Sequence, residues 1–224
     1  MFQSFRLIAK LIKIQLKPGN YDTTFIAEFI GYFNGHSIDK TVALWAETPT
    51  GKRYLAGESI HDHIHEYKNA HSNTFIKEYI SFMEKYYFTK LRDELKIEES
   101  VKFNERNDLG KAFGRFMVDV HDFTHVLTGY GADPLGELLR IEYGKNFEGN
   151  GWKVLSRVGK TRIWIDGIKE GFSYRPLFKE ARQMGKMSDN YIFADWFNIL
   201  GQDINEVREN LNTLPTTKYH WQNA

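Results

Sequence analysis

The spacing of apolar residues is the feature that most limits the fold of this chain. Two long stretches follow Asn73-Thr74 and Asn107-Asp108, and in both of them apolar side chains recur every three or four residues. The apolar faces comprise Phe75, Tyr79, Phe82, Met83 and Tyr86 in the first stretch, and Ala112, Phe113, Phe116, Met117 and Val120 in the second. This spacing is typical of helices that bury one side against a core. The sequence therefore predicts an all-α fold.

Capping and turn residues mark the ends of further helices. Asp, Asn and Thr favour the position before a helix, Pro its first turn and Gly the position after it. The first predicted helix ends at Pro18-Gly19, and the next two run from Asp22 to Phe33 and from about Ser37 to Glu47. A fourth helix begins at Asn73-Thr74, and a fifth runs from Asn107-Asp108 to Gly129. Three more begin at Asp133-Pro134, at Asp189-Asn190 (reaching Phe197) and at Asp203, where Glu206 three residues later completes a capping box. Because no repeat or linker interrupts them, residues 1–224 are expected to form a single-domain multi-helix bundle.

Two segments lack a clear helical pattern. The stretch TPTGKRYLAG, residues 48–57, contains the Pro, Gly and Thr that favour a loop. The stretch WKVLSRVGKTRIWI, residues 152–165, leaves a helix, a short hairpin and irregular structure open.

The composition is that of a globular protein and excludes several functions. Apolar residues make up 42% and charged residues 26% of the chain. A formal net charge of +1 gives no support for a nucleic-acid partner. The absence of cysteine excludes disulfides, thiolate nucleophiles and sulfur-ligated metals. Aromatic residues, at 15%, are expected in the core, and a bundle so rich in them can also leave an apolar groove or tunnel.

Residues 1–17 form a basic amphipathic pattern. Arg6, Lys10, Lys13 and Lys17 recur at helical spacing, and no acidic residue occurs among the first 20 positions. Two interpretations remain open: a terminal helix buried on its broad apolar side, or a helix that lies on an anionic membrane surface. No apolar run reaches the roughly 18 to 20 residues of a membrane-spanning helix.

The sequence His-Asp-x-x-His occurs twice, as HDHIH at His61–His65 and as HDFTH at His121–His125. Two histidines four residues apart lie on the same side of a helix, about 5–6 Å apart at Cβ, and can reach one ion. Asp122 can reach the same side. The pentapeptide alone therefore does not decide which copy binds a metal.

The residues after HDFTH favour the second copy. Its helix ends at Gly129, a short turn follows, and Asp133-Pro134 begins the next helix, so the two helices are expected to run antiparallel. Glu137, one turn into the second helix, should then face His125. Gly136 removes a side chain where the backbones approach. The sequence predicts a metal site of His121, Asp122, His125 and Glu137, with Asp133 acting as a cap.

The first copy lacks this support. Ile60, Ile64 and Tyr67 form an ordinary buried stripe with the histidines on its flank, and Lys77 stands where the second copy has its glutamate. The four histidines of this region are expected on the solvated surface or in local caps: His61, His63, His65 and His71.

Imidazole nitrogens and carboxylate oxygens suit several divalent metals. Zinc is expected first, and iron, cobalt, manganese or magnesium remain open, with magnesium favoured by more carboxylate ligands.

HDFTH, followed after eleven residues by Glu137, resembles the HD-x-x-H-x11-E signature of the Coq4 family of ubiquinone-biosynthesis proteins. The likeness continues through VLTGYGADPLGE and extends to NTFIKEYISFM at residues 73–83. It covers roughly residues 70–210, with a looser match at RFMVDV before the motif and in the C-terminal part. No catalytic residue is assigned.

The resemblance implies a helical protein peripheral on a membrane, with a polyprenyl quinone precursor or a prenyl phosphate lipid bound next to a metal held by His121, Asp122, His125 and Glu137. It implies oxidative decarboxylation or hydroxylation of the prenylated ring at C1, and partners among other quinone-biosynthesis proteins. A homodimer is a further expectation. The location would be cytoplasmic, or the matrix face of the inner membrane in a mitochondrion.

Two other functions remain open. The same four residues would suit a lipid-binding or scaffold protein that clamps an anionic prenyl head group without turnover. A metal phosphohydrolase of the HD type would need further His and Asp ligands on other helices.

Overall fold

The structure is a computed structural model that describes residues 29–30, 32–67, 69–86 and 107–219. Within these ranges the chain is helical, and the one isolated β-bridge joins Thr74 to Asp203. The predicted helix over residues 1–17 and the start of the one from Asp22 lie outside the described residues. None of the described helices is both long enough and apolar enough to cross a bilayer.

The α-helices of the described ranges follow one another in chain order. They are α1 (Asp39–Ala46), α2 (Pro49–Leu55), α3 (Ile60–His63), α4 (Phe75–Tyr86), α5 (Asp108–Thr128), α6 (Pro134–Gly144), α7 (Asn150–Glu170), α8 (Arg175–Met187), α9 (Trp196–Ile199) and α10 (Ile204–Asn210). Short 3-10 helices lie at Gly35–Ile38, Ile64–Tyr67 and Tyr191–Phe193. Helix α5 packs against α1, α2, α4 and α6, and α6 also packs against α7 and α8.

The core consists mainly of aromatic side chains from these helices. Phe75 and Tyr79 of α4 contact Phe123 of α5 with ring centroids 5.4 and 4.8 Å apart, and Trp196 packs against the same ring at 4.9 Å. All four side chains are at most 1% exposed. Burying one such ring contributes about 2–3 kcal/mol to folding. The expectation that the aromatic stripes form the core is confirmed for Phe75 and Tyr79, whereas Phe82 is only partly buried.

The ends of α5 and the start of α6 confirm the capping predictions. The side chain of Asn107 accepts a hydrogen bond from Gly110 N at 2.8 Å, and Gly129 ends α5 with a left-handed φ of +75°. Asp133 precedes α6 and accepts from the backbone nitrogens of Leu135 and Gly136. These local signals fix where both helices meet.

The prediction of a loop over residues 48–57 is wrong, because this segment contains helix α2. Thr48 caps the helix by accepting from Gly51 N at 3.0 Å, and Pro49 occupies the first helical position. Gly51 lies so close to Trp45 that an added Cβ would be 2.0 Å from its carbonyl oxygen. Pro, Thr and Gly serve here as helix start and close approach rather than as a turn.

The hairpin considered for residues 152–165 is also wrong, because α7 is one continuous helix. Its buried face is formed by every fourth residue: Gly151, Leu155, Gly159, Ile163 and Gly167. Three of these five are glycines. An added Cβ at Gly159 would lie 2.2 Å from Leu138, so the small residues allow α7 to approach α6 closely. A face built from glycine has no hydropathy pattern, which explains why the sequence left this segment open.

Two further segments differ from the expectation. Helix α8 was not predicted, although it buries Leu177, Phe178, Ala181 and Met184 at helical spacing. The helix expected from Asp189 to Phe197 is broken, because Ala194 adopts an extended conformation between a 3-10 turn and α9.

Candidate metal centre

The last turn of α5 and the first turn of α6 bring three potential metal ligands together. His121 and His125 lie one turn apart on α5, and Glu137 lies on the first turn of α6. Each offers one nitrogen or carboxylate oxygen, and these three atoms all lie within 4.8 Å of one another. The predicted contact across the antiparallel turn between Glu137 and His125 is confirmed.

The closest approaches within this set are short and nearly equal. The Nε2 atoms of His121 and His125 are 3.3 Å apart. One carboxylate oxygen of Glu137 lies 3.3 Å from His121 Nε2, and the other lies 3.4 Å from His125 Nε2. In a tetrahedral zinc site with bonds of about 2.0–2.1 Å, neighbouring ligand atoms are about 3.3–3.4 Å apart. Each imidazole approaches a different oxygen of Glu137, and the three residues lie close enough to share one small divalent ion.

The imidazole of His125 is held in one orientation by its surroundings. Its Nδ1 lies 3.1 Å from the carbonyl oxygen of Tyr130, and because a carbonyl can only accept, Nδ1 is the donor. In the neutral ring, Nε2 then carries the lone pair that faces Glu137. The ring of Phe82 stacks on His125 with centroids 5.3 Å apart. Such hydrogen bonds behind a ligand fix its tautomer and direction.

One side of the site is open to solvent. The side chain of His125 is 0% exposed, whereas those of His121 and Glu137 are 24% and 28% exposed. The indole ring of Trp152, from the first turn of α7, lies 6.2 Å from the His121 ring. A ligand could therefore approach along His121 and Glu137, beside the ring of Trp152.

The charges in the site affect both neighbouring carboxyl groups. Burial opposes ionisation of Glu137, but the imidazoles of His125 and His121 outweigh it and hold its pKa well below its usual range. Burial raises the pKa of Asp122, and Glu137 and Asp119 add to this effect while the two imidazoles oppose it.

The structure brings three of the four predicted ligands into one set. Asp122 is partly buried and lies near enough for both imidazoles to influence its pKa, but it is not within the 4.8 Å set. Metal binding by all four residues, Asp122 included, stays a prediction. Asp133 acts as the expected cap, and its second oxygen also accepts from the hydroxyl of Tyr219.

Gly136 is required by a close backbone approach, as expected, although the contact is with the turn rather than with α5. A Cβ at this position would lie 2.0 Å from the carbonyl oxygen of Gly131. Any larger residue would push the start of α6, and with it Glu137, away from the two histidines.

A buried ion pair beneath the site was not predicted. Arg140 donates to both carboxylate oxygens of Glu148, at 2.9 and 2.5 Å, and both side chains are fully buried. Its Nε donates to the hydroxyl of Thr124 at 2.6 Å, and that hydroxyl donates to the carbonyl oxygen of His121. The network joins α5 to α6 one turn from the ligands. A lone Arg on a helix gives no sequence signal for such a partner.

The expectation that His61 lies on the solvated surface is wrong. Its side chain is only 17% exposed, and its Nε2 lies 3.1 Å from a carboxylate oxygen of Asp119 on α5 and 3.1 Å from the hydroxyl of Tyr79. The other oxygen of Asp119 accepts from the hydroxyl of Tyr54 at 2.5 Å. The first His-Asp-x-x-His copy therefore contributes a partly buried polar contact with α5, the helix that carries His121 and His125.

The other histidines of that region behave as expected. His63 makes local contacts with Glu58 at 3.3 Å and Glu66 at 2.8 Å. His65 and His71 are exposed.

Comparison with solved structures supports the fold. A crystal structure of a protein assigned to ubiquinone biosynthesis, from Nostoc punctiforme, has a TM-score of 0.65 at 14% sequence identity, and the alignment covers 93% of this chain and 95% of that chain. At this identity the likeness shows a shared architecture. No curated protein sequence matches the chain.

A family model described as the coenzyme Q (ubiquinone) biosynthesis protein Coq4 matches residues 19–216. The match extends well beyond the roughly 70–210 segment that the motifs suggested, toward the N-terminus in particular. Because it spans most of the sequence, this chain belongs to the Coq4 family of ubiquinone-biosynthesis proteins.

Proposed function

We propose that this protein binds a prenylated aromatic precursor of a ubiquinone-type quinone beside a divalent metal ion and acts on the ring at C1. The observation that carries the proposal is the convergence of His121, His125 and Glu137, whose ligand atoms lie within 4.8 Å of one another. Membership of the Coq4 family assigns the protein to ubiquinone biosynthesis. The proposed substrate class and reaction are those implied by the resemblance of its HD-x-x-H-x11-E motif to that of the family.

His121, His125 and Glu137 would hold the ion, with Asp122 as the proposed fourth ligand. Zinc is proposed first, because two imidazole nitrogens with carboxylate oxygens suit it, whereas magnesium prefers oxygen ligands alone. Magnesium, iron and cobalt are the alternatives. When bound, the ion would polarise carboxylate or phenol oxygens of the head group as a Lewis acid, or serve as a redox centre if it is iron or cobalt.

The protein side chains would position the aromatic head group. The Trp152 ring lies 6.2 Å from the His121 ring, and contact with its indole would orient a flat substrate at the open edge. The open edge at His121 and Glu137 allows the carboxyl-bearing carbon to approach the ligand set. An apolar groove or tunnel for the prenyl tail is part of this proposal.

The proposed reaction releases the C1 carboxylate as CO2 and places a hydroxyl on the same carbon, a two-electron oxidation for which an external oxidant such as molecular oxygen is required. The alternative is a non-catalytic prenyl-lipid or prenyl-phosphate binding protein that serves as a scaffold for the biosynthetic complex. It is supported by the same three converging residues, because an ion held by them could clamp an anionic head group without turnover.

Metal analysis, lipid analysis and a turnover assay would separate these functions. We expect about one ion per chain, a prenylated aromatic lipid in mass spectra of the purified protein, and metal-dependent loss of the ring carboxylate from a prenylated hydroxybenzoate. Lipid binding and bound metal without any such loss would leave the scaffold function. Absence of metal under all loading conditions would contradict both. Hydrolysis of phosphate esters would instead indicate a phosphohydrolase.

The proposal includes a peripheral position on a membrane, contact with other quinone-biosynthesis proteins and a homodimer. A prenylated precursor partitions into the bilayer, so a protein that acts on its head group must work at the membrane surface. The expected location is the cytoplasmic face of a membrane, or the matrix face of the inner membrane in a mitochondrion.

A further inference from the structure

A groove of about 860 Å³ opens between the second half of α7 and the first half of α8. Large apolar side chains line one side of it and remain exposed. Trp164, Ile168 and Phe172 are 57%, 61% and 56% exposed. The first two lie one helical turn apart, and the third follows at the same spacing beyond the end of α7. All three line the groove and are here called the apolar strip.

Cationic side chains line the other side of the groove. Arg175, Lys179 and Arg182 lie at spacings of four and three on α8, so they share one helix face. A fourth cation, Lys160, lies on the α7 side, one turn before Trp164. The described side chains that line the groove thus include four cations and no carboxylate.

A buried carboxylate holds part of this cationic side in place. Glu142 of α6 is fully buried and accepts from Arg182 at 2.9 Å, from Lys145 at 2.6 Å and from Lys160. Glu142 contributes one negative charge to this cluster and the three cations contribute three positive charges, so the net charge of the cluster is positive. Arg182 remains 51% exposed despite this contact, so part of its side chain faces the groove and solvent.

The composition of the groove discriminates among partners. A second copy docked by a two-fold axis would place each cation against a cation or an apolar side chain of its partner, and neither of these neutralises it. Nucleic acid would satisfy the cations but does not require aliphatic side chains such as Ile168. An anionic bilayer satisfies both sides, because apolar side chains enter the interface, Trp prefers the headgroup level, and Lys and Arg pair with lipid phosphates.

We propose that the strip and cations of the α7–α8 groove form the face by which this protein docks on anionic phospholipid bilayers. This proposal rests on the proposed peripheral membrane position. It names the α7–α8 groove as a membrane contact in addition to any contact made by residues 1–17. It is independent of the metal chemistry, because none of the groove residues belongs to the ligand set.

Flotation of the full chain with lipid vesicles would test the proposal. The two vesicle types are phosphatidylcholine alone and an equal mixture of phosphatidylcholine with phosphatidylglycerol. Each Lys or Arg at an anionic surface strengthens binding about fivefold. The double variant Arg175→Glu, Lys179→Glu should therefore bind the anionic vesicles at least about 25-fold more weakly, and high salt should remove most of the difference. Both residues are exposed, so the fold should be retained.

A second variant tests the apolar strip. Trp164→Ser with Phe172→Ser should weaken binding to anionic vesicles about tenfold or more, and this loss should persist at high salt because it does not depend on charge. The matched control is Lys52→Glu with Leu55→Ser on α2, which changes one exposed cation and one exposed apolar residue elsewhere. It should bind like the wild type.

Three outcomes would overturn the proposal. Unchanged binding of both groove variants would mean that the N-terminal segment or another surface suffices. Equal losses in the α2 control would mean that no particular face is used. A wild-type dimer that the strip variant converts to monomer in light scattering would identify the groove as an interface between copies. Metal content, measured in the same samples, should be unchanged, so failure of the metal site and failure of the membrane face are distinguishable.

Discussion

The two His-Asp-x-x-His copies have the same residue pattern but opposite roles in the folded protein. HDFTH lies in the last turns of a 21-residue helix that ends at Gly129, directly before a turn that delivers Glu137. HDHIH lies on the four-residue helix α3, which continues as a 3-10 turn. In HDFTH the carboxylate of Glu137 lies next to both imidazoles. In HDHIH the imidazole of His61 instead contacts the carboxylate of Asp119 on α5. The surroundings of the motif, rather than the motif, decide whether it forms a ligand set.

The largest expected effect is loss of metal from the second copy. His125→Ala and Glu137→Ala should each abolish stoichiometric metal, because two of three converging ligands rarely hold a divalent ion against solvent. Elemental analysis of the purified variants measures this directly. His65→Ala is the matched control, since His65 is exposed and belongs to the other copy. Equal metal loss in the control would contradict the distinction between the two copies.

A buried carboxylate elsewhere on α6 separates loss of metal from loss of fold. Glu142 is surrounded by Lys145, Lys160 and Arg182; burial opposes its ionisation, but the hydrogen bonds outweigh this and lower its pKa to about 2. Glu142→Gln should reduce the free energy of unfolding at neutral pH by about 2–3 kcal/mol. Because the pKa is lowered in the folded state, this contribution is complete above about pH 5 and disappears as the pH falls toward 2.

Denaturant unfolding at several pH values, with metal analysis of the same samples, measures both consequences. The difference between wild type and Glu142→Gln should shrink steadily below pH 5, while metal content at neutral pH stays near the wild-type level. If the variant loses its metal while still folded, then metal loss cannot be assigned to the ligands alone.

Asp122 distinguishes a fourth ligand from a supporting neighbour. Asp122→Asn should lower metal affinity about 10- to 100-fold, because the amide keeps the shape of the side chain but removes its charge next to the ligand set. Competition with a chelator measures the affinity. An affinity equal to that of the wild type would remove Asp122 from the site and leave the three residues that the structure brings together.

Local signals explain how much of this site the sequence could predict. Asn107, Gly129, Asp133 and Pro134 set the ends of α5 and α6 through contacts within a few residues, so the position of Glu137 opposite His125 follows from the chain itself. All four are residue types with strong positional preferences at helix ends.

The parts that the sequence did not predict depend on contacts between distant residues. The partner of His61 is Asp119, and the partner of Arg140 is Glu148 beyond the end of α6, and neither pair has a characteristic spacing. Helix α7 was left open for a different reason, since a buried face of Gly151, Gly159 and Gly167 carries no hydropathy signal. Close packing of helices through glycine becomes visible only when the neighbouring helix is in place.

The smallest effect tests the structural role of the first copy. His61→Ala should lower the free energy of unfolding by about 1–2 kcal/mol, because it removes the contact between His61 Nε2 and the buried carboxylate of Asp119. The metal content should not change, since neither residue is among the converging ligands. His65→Ala should alter neither quantity.

Thermal unfolding and elemental analysis of the three proteins give the comparison. A drop in stability for His61→Ala alone, with full metal in both variants, assigns the first copy to the fold. A loss of metal in His61→Ala would instead mean that Asp119 and its neighbours extend the metal site beyond α5 and α6.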